Sequence, residues 1–174
     1  MKRKFITIFI IVSILLVLKI VFIYNSKIAR NKDDLINIVT QEFHLEQNHS
    51  ANITYLGKFS KEDDALLWFM IQDESLIYYR AVECNLLPKD RYFVEEVYIP
   101  KIYSKDIVSV LWNTESIYLI NDINCKSIVE RNQYGDIISQ IDILPNEYPY
   151  IFHNIINEKA TNCSFLDSQG NDIK

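Results

Sequence analysis

The sequence predicts an α+β protein. It reads as an N-terminal transmembrane helix, then one helix and a mostly antiparallel, curved sheet of about seven strands with a short C-terminal helix. Three observations carry this. A long apolar run opens the chain. A helical repeat of apolar residues follows it. From Asn52 onward, short β-branched and aromatic runs alternate with polar turns. The composition is that of a folded chain: of 174 residues, 49% are hydrophobic and 24% charged, which excludes a disordered or collagenous protein. Only 3 glycines are present, which excludes repeated Gly-rich phosphate loops.

Phe5 to Tyr24 (FITIFIIVSILLVLKIVFIY) carries one charge, Lys19. At about 1.5 Å per residue the run matches the roughly 30 Å hydrocarbon core of a bilayer. Lys19 can snorkel toward an interface, and Tyr24 suits an interfacial position. The expectation is a single-pass anchor in the cell membrane, with residues 1–24 as basic tail and span. Lys2, Arg3 and Lys4 precede the run, but Lys27, Arg30 and Lys32 follow it. The shortness of the N-terminal tail therefore decides the orientation, with the C-terminal domain outside. The competing reading is secretion after cleavage of a signal peptide. Cleavage needs small residues spaced like A-x-A. Ser26 with Tyr24, and Ala29 with Lys27, are poor sites.

Residues 25–50 read as a juxtamembrane helix. Leu35, Ile36, Val39 and Phe43 recur at helical spacing. Asn31 or Asp33 can cap its start, and Asp33 and Asp34 suit its positive end. The helix serves either as a stalk or, with its apolar stripe, as a layer packed on a sheet. Residues 51–174 read as the extracytoplasmic domain. Its strands are predicted at Ile53–Phe59, Leu66–Ile71, Leu76–Glu83, Tyr92–Ile99, Ile107–Trp112, Ile117–Ile120, Lys126–Arg131 and Ile137–Ile143. The turns between them are too short for helical crossovers, so neighbours pair antiparallel. The stretch SKEDDALLWFMI admits a capped helix or a buried strand, and the prompt QDES turn favours the strand. Phe93, Glu95 and Val97 share one face of their strand, Val94, Glu96 and Tyr98 the other, which predicts an edge position. Tyr148, Phe152, Ile155 and Ile156 permit a short helix after Pro149. The tail reads as a strand and a turn around Gly170.

Charge narrows the partners. Residues 1–24 hold four basic groups and no acid, leaving 14 basic and 23 acidic residues in the remainder, a net of −9. Phosphate polymers are repelled, so no nucleic acid is expected, and a cationic protein partner is favoured.

Few residues carry reactive chemistry. Cys84, Cys125 and Cys163 lie too far apart for a CxxC redox or zinc motif. They are either free thiols or, outside the cell, one disulfide plus a thiol, with no pairing preferred. Cys125 with His153 is the sharpest catalytic pair, because a nucleophilic thiolate needs an adjacent base. No oxyanion turn or family signature surrounds Cys125. His44 and His49 miss the i, i+4 spacing of two metal ligands on one helical face, although Glu42 and Glu46 lie near them. The acidic pairs Asp63–Asp64, Asp73–Glu74 and Glu95–Glu96 read as surface acids, since adjacent strand residues point to opposite faces. No metal or other cofactor is expected. Tyr92, Tyr98, Tyr103 and Trp112 are the candidate binding surface, because amphipathic rings supply contact energy.

The layout is similar to that of the small, membrane-anchored extracytoplasmic proteins of low-GC Gram-positive bacteria. MKRK, one apolar segment and an Ile/Asn/Tyr-rich domain carry the resemblance. It implies no active site. The functional expectation is an envelope binding or accessory protein that recognises a protein partner. The alternative is a small envelope hydrolase or thiol enzyme using Cys125.

Overall fold

The computed structural model describes residues 2–42, 51–155 and 162–173, with side chains from Ile10 onward and none at Glu42, Ile155 and Asn162. Among the described residues there are two helices and twelve strands. In order they are α1 (Lys2–Ser26), β1 (Ile28–Ala29), α2 (Lys32–Glu42), β2 (Asn52–Lys61), β3 (Asp64–Asp73), β4 (Leu76–Leu87), β5 (Arg91–Tyr98), β6 (Lys101–Ser104), β7 (Ile107–Trp112), β8 (Glu115–Ile120), β9 (Ser127–Arg131), β10 (Ile137–Asp142), β11 (Tyr150–Ile155) and β12 (Asn162–Leu166).

The strands form three antiparallel sheets. Sheet A is ordered β1-β5-β4-β3-β2, sheet B β11-β8-β7-β6, and sheet C β10-β9-β12. This corrects the expected α+β fold with one sheet of about seven strands. The protein is mostly β, and its sheets stack. Leu35 and Val39 of α2 pack with Leu67, Phe69 and Val82 on one face of sheet A. Leu66 and Trp68 on its other face pack against Val108, Val110, Ile117 and Leu119 of sheet B. Ile107, Tyr118 and Ile120 on the far face of sheet B pack against Ile128 and Phe165 of sheet C. The layers therefore run α2, A, B, C.

Two buried faces explain the sequence of the central strands. β3 (DALLWFMIQD) and β8 (ESIYLI) are near-continuous apolar runs because successive residues enter different cores. The strand reading of ALLWFMI is correct. β5 is covered on its outer side only by two-residue β1, paired at Tyr92 and Phe93, so it lies next to the sheet edge.

The helix expected after Pro149 does not form. Tyr150–Ile155 is β11, paired with β8 from Tyr150↔Ile120 to Ile155↔Glu115. Phe152 enters the B/C core while Ile151 packs on the A/B core, the alternation of a strand. Apolar residues at helical spacing occur there because both faces of sheet B are covered.

The expected single-pass membrane anchor, on which the placing of the domain rested, is also corrected. Among the described residues, no helix is long and apolar enough to cross a membrane. The large apolar side chains from Ile10 to Tyr24 are exposed. Tyr24 stacks on Phe93 of β5, with ring centroids 4.7 Å apart.

α2 is a sheet layer rather than a stalk. The Asp34 amide donates to Asn31 Oδ1 at 2.8 Å, and the Arg30 amide donates to Asp34 Oδ2 at 3.0 Å. Two otherwise orphaned amides are thus satisfied reciprocally, which starts the helix at Lys32.

The β7–β8 turn carries strain. Asn113 and Thr114 have φ of 47° and 67°, the mirror-image turn that suits strand twist. A β-branched residue is disfavoured there. Thr114→Gly is expected to stabilise the protein by about 0.5–1 kcal/mol, because left-handed strain outweighs the added chain entropy. A urea midpoint that falls or stays constant would show that the turn holds Thr114 without cost.

Candidate functional site

A cleft of about 330 Å³ opens between the start of α2 and the outer face of sheet A. Leu35, Leu67 and Phe69 form its apolar lining, with the rings of Tyr55 and Tyr92 beside them. Arg30, Asn31, Lys32 and Asp90 supply the polar groups. Each comes from a position the fold dictates. Arg30 to Lys32 form the turn between β1 and the capped helix. Tyr55, Leu67 and Phe69 share a face of β2 and β3. Asp90 sits in the β4–β5 turn, where Lys89 and Asp90 have φ of 67° and 52°.

Its lining holds two cations, Arg30 and Lys32, against one acid, Asp90. Lys32 Nζ lies 5.2 Å from the Tyr55 ring centroid, and Lys58 Nζ lies 6.0 Å from that of Tyr92. Both are favourable cation–π arrangements. Among the described residues, neither Arg30 nor Lys32 has a carboxylate within ion-pair distance, whereas Lys61 is paired to Glu115 at 2.6 Å. Burial, and then the nearby Tyr92, push the Tyr55 phenol above its ordinary range, so it is a neutral hydroxyl at physiological pH. The arrangement is a half-apolar pocket with a few polar groups, typical of ligand sites. It contains no nucleophile–base pair.

The four aromatic residues expected to form one surface are placed apart. Tyr92 lines the cleft. Tyr98 and Trp112 instead converge on Glu83: the Tyr98 hydroxyl donates at 2.6 Å and Trp112 Nε1 at 2.9 Å. Trp112 is buried in the A/B core. Tyr103 packs against Tyr118 and Phe165 on the B/C side. Tyr55, Arg30, Lys32 and Asp90 were not anticipated as site residues. The available signal was the cluster of Lys27, Arg30 and Lys32 just ahead of an aromatic β domain.

Cys125 and His153 are not brought together. Cys125 is fully buried in the B/C core with Phe152. His153, the next residue on β11, stacks on Phe59 of β2 at 5.0 Å. Consecutive strand residues point to opposite faces, so sheet B separates the thiol from the imidazole. The Tyr148 hydroxyl donates to the Cys125 carbonyl.

All three cysteines are free. Cys84 lies in the α2/A core, remote from the B/C core of the other two. Cys163 is registered opposite Glu130, roughly 16 Å of extended chain from Cys125, far beyond disulfide reach. Burial pushes the Cys84 thiol up to about 12, with Glu83 and Glu95 adding to it. Burial pushes Cys125 up to about 11, with Asp122 adding. A thiol whose folded pKa is raised contributes stability that is complete below its unfolded value. That stability is lost as pH rises through the folded value. The urea midpoint is therefore expected to fall as pH rises from about 9 toward 11. Native maleimide labelling near neutral pH should spare Cys84 and Cys125, and unfolding should expose all three. Rapid native labelling of Cys125 would contradict this packing.

Among the described residues, no group of three or more His, Cys, Asp or Glu is placed to hold a metal ion. His44, Glu46 and His49 lie outside the described residues, as does the Glu42 side chain. The acidic pairs are dispersed: Asp64 accepts from Asn85 at 2.9 Å, Glu95 and Glu96 are exposed, and Asp73 and Glu74 flank the β3–β4 turn.

No protein-family model, curated protein or solved structure matches this chain. The cleft must therefore be read from its own chemistry.

Proposed function

We propose that this protein is a non-enzymatic binding protein that recognises a protein partner through the cleft between α2 and sheet A. One observation carries the reading: an apolar, tyrosine-walled pocket bordered by two cations, with no carboxylate at ion-pair distance from them among the described residues, lies on a chain that is net acidic. Apolar surface supplies contact energy, and the few polar groups orient the ligand. The acidic remainder of residues 25–174 disfavours nucleic acid as the partner.

A photo-crosslinking residue placed at Asp90, on the cleft, tests this in the cells that make the protein. The expected result is a discrete adduct that disappears when Tyr92→Ala removes one wall. The same crosslinker at Tyr134, which is 80% exposed on the β9–β10 turn, should not form it. Identical adducts from both positions, or an adduct indifferent to Tyr92→Ala, would remove the cleft from recognition.

A further inference from the structure

We infer that the group entering the cleft is an apolar side chain with a carboxylate beside it, presented by a peptide segment of the partner. This rests on the cleft being the recognition site. The apolar half of the argument is the lining: Leu35, Leu67 and Phe69 sit between two tyrosine rings. A side chain inserted there exchanges water for aromatic and aliphatic contact. At about 330 Å³, the cleft lies at the small end of ligand pockets. That volume suits one large side chain and its adjoining peptide groups rather than a dinucleotide-sized cofactor.

The anionic half is the charge pattern. Among the described residues Arg30 and Lys32 border the cleft without a carboxylate at ion-pair distance, and Lys58 stands over the Tyr92 ring. Asp90 is the one acid among the lining residues. An incoming single negative charge therefore meets more cations than anions, while a second would be opposed by Asp90. The α2 amides do not provide this selectivity on their own. Asn31 already accepts from Asp34, and Asp34 already accepts from Arg30. Selectivity lies in the Arg30 and Lys32 side chains. A guanidinium and an ammonium can hold one carboxylate together, the first by a two-pronged hydrogen bond.

The carboxylate can belong to a chain terminus or to an acidic side chain. Three blocked dipeptides separate these sources: acetyl-Leu-Phe with a free carboxylate, acetyl-Leu-Phe amide, and acetyl-Glu-Phe amide. Binding to the full-length protein is read at the methyl resonances of Leu35 and Leu67, which report the cleft alone. The free acid is expected to bind about tenfold tighter than its amide, as two partly exposed charge pairs allow. The exposed double substitution Arg30→Gln, Lys32→Gln should bring the acid down to the level of the amide. Parity of acetyl-Glu-Phe amide with the free acid would assign a side-chain carboxylate, and parity with the neutral amide would assign a terminal one. Equal binding of acid and amide, or an advantage that survives the double substitution, overturns the inference. If no peptide moves Leu35 and Leu67 while the Asp90 crosslink persists, this ligand chemistry is wrong and the cleft reading stands. If the crosslink also fails, both fall.

Discussion

Leu119→Ala and Ile120→Ala are each expected to lower stability by about 2–5 kcal/mol, and to lower one and the same unfolding transition. The two residues are neighbours on β8 and both are fully buried. Leu119 belongs to the A/B core and Ile120 to the B/C core. Losses of this size are a large part of the roughly 5–15 kcal/mol that holds a domain together. The informative comparison is between probes. Both tryptophans, Trp68 and Trp112, lie in the A/B core, so fluorescence reports that layer directly. Far-UV circular dichroism reports all three sheets. Ile120→Ala removes atoms only from the B/C core. The tryptophan signal should still shift together with the dichroism, because β8 supplies one face to each core. β11 reinforces the coupling, since it joins sheet B between two strands of sheet C. An Ile120→Ala protein that loses dichroism well before tryptophan fluorescence would show that sheet C unfolds separately and that the stack is not one cooperative unit.

The same two-sided burial decides what could be read from the sequence. Strand existence was legible in ALLWFMI and in the pair IVSVLW and IYLI, because β-branched and aromatic runs end at polar turns. The number of sheets was not. A strand covered on both faces loses the period-two alternation that would assign each residue to a face, so stacked sheets resemble one sheet in sequence. Tyr150–Ile155 failed for that reason: with both faces apolar, its spacing fits a helix as well as a strand. The opening segment shows a different limit. Its hydropathy predicted a membrane span, whereas among the described residues no helix is long and apolar enough to cross a membrane.

The cleft was legible only at Tyr92. Its other residues come from the β1–α2 turn, α2, β2, β3 and the β4–β5 turn, and sequence spacing does not reveal that these converge. Arg30 and Lys32 were read as flanking charges bearing on orientation, and Asn31 as a helix cap. The cap reading is correct, and it is what leaves those two side chains at the cleft. The Glu83 cluster was hidden similarly. Tyr98 and Trp112 looked like surface aromatics, yet both hydrogen-bond donors end on a carboxylate held between sheets A and B.

Gly57→Ala is expected to cost about 2–3 kcal/mol, although it adds a single methyl group. Gly57 sits at the irregularity in β2 where pairing with β3 shifts between Tyr55 and Gly57. Its φ is 152°, a conformation that residues with a side chain rarely adopt. A methyl group there would lie 3.0 Å from Cδ1 of Ile151 on β11. Sheets A and B thus approach closely at this point, and the missing side chain permits it. Backbone strain and steric contact are two separate costs, and a double-mutant cycle separates them. Ile151→Val removes the Cδ1 atom and relieves the contact but leaves φ unchanged. Urea unfolding of Gly57→Ala, Ile151→Val and the double variant gives the division. If contact dominates, the double variant is more stable than the sum of the single losses implies. If the conformation dominates, the losses add. Gly57→Ala within about 0.5 kcal/mol of the parent would mean that β2 can relax away from β11, and that the approach of the two sheets at Gly57 is not a constraint on the stack.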